Sequence, residues 1–318
     1  MKSFFSKGLL IALAALLVLP AAYASDPVGR VNVGVTDDSG AVLPGVQVVV
    51  SSPATGLERT AFTNSDGEVR FVQLPVGEYD VQAQLEGFQT WESTTRVVLG
   101  QTSNVSAQMA VGAVEDVLEV VDTVPLLDTT STTSGLTVST SELTERVPIV
   151  REATAVALLA PATTEGDRAF DGSTPGQSLT AVGGSSVAEN TYIVNGLNIT
   201  NFRNGLGANN VPFEMVQEIQ VKTGGFPAEF GWATGGVVNV VTKSGTNEFH
   251  GGVNAFHEPE DLAEQSPDTP GGAINSEEER TVTSANVFLG GPIYRDRAFF
   301  FGLYEYRDRE NDGISGGQ

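Results

Sequence analysis

The sequence predicts a mainly β chain with a small α+β part, and three observations lead there. Short runs with apolar–polar alternation recur at 8–12-residue spacing between turns rich in Gly, Asn and Asp. Only two short patches, near residues 140–147 and 151–159, carry a helical pattern. After Lys243 the runs become long, alternating and dense in Phe and Tyr.

The N-terminus comes first. Lys2 and Lys7 form a positive start, Leu9 to Leu19 is almost unbroken apolar sequence, and Ala22-Tyr23-Ala24 offers small residues to a signal peptidase. Residues 1–24 are expected to be a secretory signal cleaved after Ala24. The apolar run is too short for a spanning helix, which needs about 20 residues. No later stretch reads as a transmembrane helix, so a return to a membrane would have to use β-strands.

Composition narrows the function. The chain has 17 basic and 39 acidic residues, a net charge of −22, and no cysteine. Nucleic acid is excluded as a partner, because neutralising phosphates needs a surplus of Lys and Arg. Disulfides and thiolate metal sites are excluded as well.

Residues 26–111 read as a small β-sandwich. Runs at 31–35, 46–50, 60–63, 69–72, 79–83, 95–99 and 105–109 are expected as strands. Turn signals separate them at Asp37-Asp38-Ser39-Gly40, Asn64-Ser65-Asp66-Gly67 and Leu74-Pro75-Val76-Gly77. Asp66 and Glu68 lack the further carboxylates that a calcium loop requires, so they read as turn residues. Leu43-Pro44-Gly45-Val46, Thr63-Asn64-Ser65-Asp66-Gly67, Leu74-Pro75-Val76-Gly77-Glu78-Tyr79 and Glu86-Gly87-Phe88 together resemble the carboxypeptidase regulatory-like, or transthyretin-like, domain. That domain is an accessory, so the resemblance implies no catalysis.

Residues 112–243 carry the most specific motifs. Ser139 and Glu142 have capping-box spacing for a helix ending before Pro148, and a second helix is expected from Arg151 to Leu159. Tyr192 to Val194, Ile219 to Val221 and Val237 to Val241 read as strands, with Asn195-Gly196 as a turn of positive φ. Gly183-Gly184-Ser185-Ser186 lacks the Lys-bearing end of a phosphate loop. Val182-Gly183-Gly184-Ser185-Ser186, Asn190 to Gly196, Glu214 to Gly224 and Phe226 to Gly245 resemble, in order and spacing, the plug of Oar-like TonB-dependent outer-membrane receptors. The sequence departs from that pattern at Val182, usually Arg, and Asn195, usually Asp, so any salt bridge the family makes between those positions is absent here at both ends.

The resemblance implies further expectations. The plug is a mixed α/β domain over residues 112–243, and Gly235-Gly236 lets its backbone approach the barrel wall. TonB, with its inner-membrane energising complex, is the implied partner. It pairs edge to edge with a short extended segment before the plug, for which Glu115, Asp116, Val117, Leu118, Glu119 and Val120 are the candidates. Val117 to Val121 read equally well as the first plug strand. Ligand contacts in such receptors come from apical plug loops, here Arg168, Phe170, Asp171, Phe202, Arg203 and Asn204.

Residues 244–318 read as the start of an outer-membrane β-barrel. Strands are expected at Phe249–Phe256, Thr281–Leu289 and Ala298–Tyr306, with Ala285, Val287 and Leu289 facing lipid and Ser284 and Asn286 facing inward. The long acidic stretch from His257 to Arg280 is expected as an external loop and Pro292 to Arg297 as a short periplasmic turn. Three strands do not close a barrel whose plugged relatives use about 22, so the chain is expected to hold only the barrel's beginning. The two histidines, His250 and His257, do not form a ligand pair, and no catalytic constellation, metal site or cofactor site is legible. The expected function is therefore gated uptake of an unidentified ligand at the outer membrane. The alternative is a soluble periplasmic interaction protein made of sandwich and plug.

Overall fold

The computed structural model describes residues 27–112, 117–119, 133–146, 151–166, 179–203, 205, 207, 211–259 and 279–312. The signal segment and most of the acidic stretch 257–280 lie outside them.

The first unit is a β-sandwich. Its strands are β1 (Val28–Asp37), β2 (Gln47–Ser51), β3 (Glu58–Phe62), β4 (Glu68–Pro75), β5 (Gly77–Gln84), β6 (Thr90–Val97) and β7 (Thr102–Met109). An eighth strand, β8 (Val117–Glu119), joins from further along the chain. One sheet has the order β4-β1-β7 and the other β3-β2-β5-β6-β8. Alternation decides what is inside: Val31, Val33 and Val35 of β1 face Val48 and Val50 of β2, Val81 of β5 and Trp91 of β6 across a closed core.

Local chemistry fixes the connections. Thr63 receives the Val46 N–H at 2.9 Å and donates to the Leu43 carbonyl at 2.7 Å, pinning the Leu43–Val46 turn. Asn64, rather than Asp66, organises the next turn: its Oδ1 accepts from the N–H groups of Asp66 and Glu68, both at 2.9 Å, and Gly67 supplies φ +73°. Tyr79 donates to the Pro75 carbonyl at 3.0 Å, and burial pushes its pKa up to about 12. The sixth strand sits earlier than expected. It ends at Val97 because residues 98–101 turn, with Gly100 at φ +66° and its N–H bonded to the Val28 carbonyl.

The middle unit is an α+β sheet. It contains β9 (Ser134–Ser139), α1 (Thr140–Arg146), β10 (Thr163–Glu165), β11 (Thr180–Val182), β12 (Thr191–Val194), β13 (Leu197–Asn198), β14 (Val216–Gly224) and β15 (Val237–Thr242). The main sheet has the order β13-β12-β15-β14-β9, with β12 and β15 parallel. Its core holds Leu143, Val156, Tyr192, Phe213, Ile219 and Val238.

Several expectations change here. Residues 151–159 do not form an α-helix; only a 3₁₀ turn, Ala155–Leu159, forms, because Arg151 and Glu152 are drawn into contacts elsewhere. The Ser139–Glu142 capping box is not used. Glu142 goes to Arg96 at 2.9 Å, a charged donor that outcompetes a neutral N–H, and the Ser139 hydroxyl meets that of Ser141 at 2.8 Å. A capping box does form at Ser186 and Glu189. Gly235 and Gly236 do allow close approach, but to Ser185, Asn190 and Val182 of their own unit rather than to a barrel wall. The two departures from the family pattern have separate local partners. Val182 packs on Gly236, while Asn195, at φ +48°, exchanges hydrogen bonds with Thr242 at 2.8 and 3.0 Å.

The third unit is an antiparallel sheet of β16 (His250–Glu258), β17 (Glu279–Tyr294) and β18 (Ala298–Asp312), in that order. The strands run longer than expected, and Pro292 to Tyr294 lie within β17 instead of in the turn. The expected faces are observed. Ala285, Val287 and Leu289 point outward with Val253, Tyr304 and Tyr306, while Ser284 and Asn286 are buried on the other side. Asn254 donates to Asn286 at 3.0 Å across that inner face.

Trp91, 1% exposed, is the largest side chain of the sandwich core. Trp91→Ala is expected to cost the sandwich about 3–5 kcal/mol, measured as a fall in the urea midpoint of its unfolding transition.

Candidate functional site

The sandwich touches the β16–β18 region where the Asn247 N–H meets the Ala54 carbonyl at 2.8 Å, and two further junctions between units hold buried charge among the described residues. The first joins the middle unit to the β16–β18 sheet. Arg151, just before the 3₁₀ turn, places its guanidinium 3.7 Å from the Phe256 ring centroid on β16 and 5.9 Å from that of Phe213. The same guanidinium bonds Glu214 at 2.7 Å, a carboxylate 9% exposed. In the opposite direction, Arg307 of β18 reaches the middle unit: its Nη2 donates to the Arg151 carbonyl at 3.4 Å and its Nη1 lies 4.0 Å from Glu152. Arg307 also lies 3.3 Å from Glu305 on its own strand.

Strand register explains the convergence. Phe256 and Arg307 both pair with Ser284, and Asn254 and Glu305 both pair with Asn286. All six residues therefore share the inner face of the sheet, because directly opposed residues point the same way. Lys243 lies near the same cluster. Burial lowers its pKa, Glu214 acts to raise it, and Arg151 acts to lower it further. Taking such charges out of water is costly unless each is matched, and a cation on an aromatic face recovers part of that cost.

The second junction joins the sandwich to the middle unit. Glu218, Gln220 and Lys222 lie on one face of β14 and are all buried. Glu218 accepts the Leu99 N–H at 2.8 Å, and Gln220 donates to the Leu99 carbonyl at 2.7 Å. One residue of the β6–β7 turn is thus gripped at both its backbone donor and its backbone acceptor. The Arg96–Glu142 pair flanks this clasp at 2.9 Å. Burial raises the Glu218 pKa, the Leu99 N–H and Arg96 act to lower it, and Glu142 acts to raise it.

The sequence-predicted site residues are distributed differently. Glu115, Asp116, Val120, Arg168, Phe170, Asp171 and Asn204 lie outside the described residues. Val117 to Glu119 form β8, which is not the first strand of the middle unit: it lies parallel on β6, at the edge of the sandwich sheet. Phe202, 75% exposed, and Arg203 sit on a turn held by Asn201, whose Oδ1 accepts the Arg203 N–H at 3.1 Å. His250 and His257 fall on opposite faces of β16. They contact the Glu248 carbonyl at 3.2 Å and the Thr283 hydroxyl at 2.9 Å, respectively. Sequence reasoning missed both junctions. The alternation in Glu218-Ile219-Gln220-Val221-Lys222 held a signal, because its polar positions needed a partner once the strand was central.

Removing one member of the first junction should be worse than replacing the pair. Glu214→Ala leaves Arg151 without its carboxylate and is expected to destabilise the junction by about 3–5 kcal/mol. The double change Arg151→Met with Glu214→Leu should cost less than either single change, as read from denaturation midpoints in detergent. The second junction predicts a pH dependence. Because Glu218 binds its proton more tightly in the folded state, folded stability falls as pH rises from about 4.5, the ordinary value, through the raised folded pKa. Glu218→Gln keeps an acceptor for Leu99. It should match the unaltered chain at low pH and be the more stable above that window, as pH-dependent thermal unfolding will show.

Comparison with known proteins agrees with this architecture. Residues 30–110 match the carboxypeptidase regulatory-like domain, and residues 241–315 match an outer membrane beta barrel domain. The chain is 32% identical over 292 residues to the TonB-dependent transporter Oar of Myxococcus xanthus, a match covering 85% of this chain and 26% of that protein. It is 36% identical over 101 residues to the ferrienterobactin receptor of Escherichia coli K12, covering 31% and 11% of the two chains. The crystal structure of the siderophore receptor PirA from Acinetobacter baumannii superposes on 55% of this chain and 24% of its own, with 24% identity and a TM-score of 0.42. The chain thus spans about a quarter of the length of Oar. It is homologous to the Oar-like TonB-dependent outer-membrane receptors, with a regulatory-like sandwich at its N-terminal side and barrel strands at its C-terminal side.

Proposed function

We propose that this chain is the gating portion of an outer-membrane receptor that admits a ligand when TonB, driven by its inner-membrane complex, pulls on the segment before the middle unit. One observation carries this reading: the middle unit is seated on the polar inner face of strands whose other face is apolar and exposed. A unit placed inside a barrel wall, and held there by charges, is what a plug requires. The units then take residues 26–111 as sandwich, 112–243 as plug and 244–318 as the start of the barrel. Export uses the 1–24 signal, with cleavage after Ala24.

The ligand would meet apical plug loops, with Arg168, Phe170, Asp171, Phe202, Arg203 and Asn204 as contacts. The exposure of Phe202 and Arg203 on a short, hydrogen-bonded turn supports that role. The TonB contact is assigned to residues 115–120. The named relatives are transporters and receptors, which supports uptake over catalysis.

Two measurements test the proposal. The chain is expected in the outer-membrane fraction, beginning at Ser25, and to be captured by the purified C-terminal domain of TonB. Deleting Ala113 to Val121 should abolish capture. Recovery only as a soluble periplasmic protein would overturn gating and favour the sandwich and plug acting as an interaction protein.

A further inference from the structure

A cleft of about 750 Å³ opens between the sandwich and the middle unit. Leu57, Arg59 and Val76 line it from the sandwich, and Gln217, Val241 and Lys243 line it from the middle unit. The chain carries 39 acidic and 17 basic residues, yet among the described residues two cations and no carboxylate line this space. We propose that the cleft binds a small amphipathic anion, with Arg59 and Lys243 meeting its carboxylate or phosphate and Leu57, Val76 and Val241 receiving its apolar body. This inference goes beyond the gating role and does not depend on it.

Local structure explains why both cations stand here. Arg59 pairs with Val50, which is 0% exposed, so on β3 it belongs to the inner face of its sheet and leaves the sandwich at the rim. Leu57, just before it, packs against the sandwich core. Lys243 follows β15. The Asn195 hydrogen bonds hold Thr242 before it, and its own N–H donates to the Met215 carbonyl at 2.8 Å. The carboxylate that acts on Lys243 is that of Glu214, which is already bonded to Arg151 at 2.7 Å. Among the described residues neither Arg59 nor Lys243 makes an ion pair. Lys243 is half-buried, so it has given up water without gaining a counter-ion, and an anion in the cleft restores that balance.

The walls are set before any ligand arrives. The backbone of Leu99 is gripped by Glu218 and Gln220, and the Ala54 carbonyl, shortly before Leu57, accepts the Asn247 N–H at 2.8 Å, shortly after Lys243. A space between two units is a usual place for a small-molecule site, and such sites run from roughly 300 to 1,000 Å³. It is far larger than a lone inorganic ion needs, and its apolar wall calls for more than a charge. A guanidinium offers paired donors and an ammonium a point charge, so together they favour a compact oxyanion.

Binding to the full chain in neutral detergent at low salt is measured by equilibrium dialysis with phenyl phosphate, benzoate and, as the uncharged comparison, benzyl alcohol. We expect one or both anions to bind at one site per chain, and the preferred head group separates a phosphate ligand from a carboxylate one. Arg59→Gln and Lys243→Gln should each weaken that binding by about tenfold or more. Arg70→Gln, an exposed residue on the outer face of β4, should leave it unchanged. Arg59 is exposed, so its variant keeps the fold and decides the question even if Lys243→Gln does not fold. No binding of either anion, full affinity in a folded Arg59→Gln or Lys243→Gln chain, equal loss in Arg70→Gln, or benzyl alcohol bound as tightly as the anions would overturn the inference and leave the gating role standing.

Discussion

Much of this structure depends on how charge is buried between the middle unit and the barrel strands. Two arginines reach across in opposite directions, Arg151 onto Phe256 and Arg307 onto the Arg151 carbonyl and Glu152. Such a junction is not the most stable available, since apolar residues of similar volume often hold as well or better. What charges add is orientation: each arginine fits only where its carboxylate, carbonyl or ring awaits it. They also make the contact depend on water, since hydration of the exposed ions would compensate for the lost partners.

The sandwich is fastened by a different device. Among the described residues no apolar core is shared between it and the middle unit; the buried clusters are separate. The grip is instead a side-chain imitation of a sheet ladder, with Glu218 accepting the Leu99 N–H and Gln220 donating to the Leu99 carbonyl. Two hydrogen bonds and a flanking ion pair define a register as firmly as a strand would. The polar stripe of β14 can therefore be buried without leaving its groups unmatched.

Much of the fold was legible in the sequence, for physical reasons. The sandwich strands other than β3 bury alternate residues for most of their length, Val the commonest among them, so alternation and turn chemistry were enough. The two faces of the barrel strands were readable from the same period. What misled was helical pattern without length. Ala155 to Leu159 is rich in helix formers, yet Arg151 and Glu152 are committed to distant partners and only a 3₁₀ turn remains. Glu142 looked like a cap and became an ion-pair partner for a residue 46 positions away. Val117 to Glu119 looked like either a free segment or a strand of the middle unit, and lies on the sandwich instead. In each case the deciding contact is between units, and local spacing carries no record of it. Of the residues proposed for ligand contact, only Phe202 and Arg203 can be located, and both are exposed.

The outward face of β16–β18 bears on how the protein is made. Val253, Val287, Leu289, Tyr304 and Tyr306 form a stripe that only lipid would solvate. Synthesis and export run from the N-terminus, so the sandwich and middle unit emerge while that stripe is still behind them. Both have closed cores and can fold in an aqueous compartment. The barrel strands cannot do so safely. They follow the other two units in the chain, so they meet a folded neighbour whose charges match their inner side, and their outer side is left to be shielded until it reaches the bilayer.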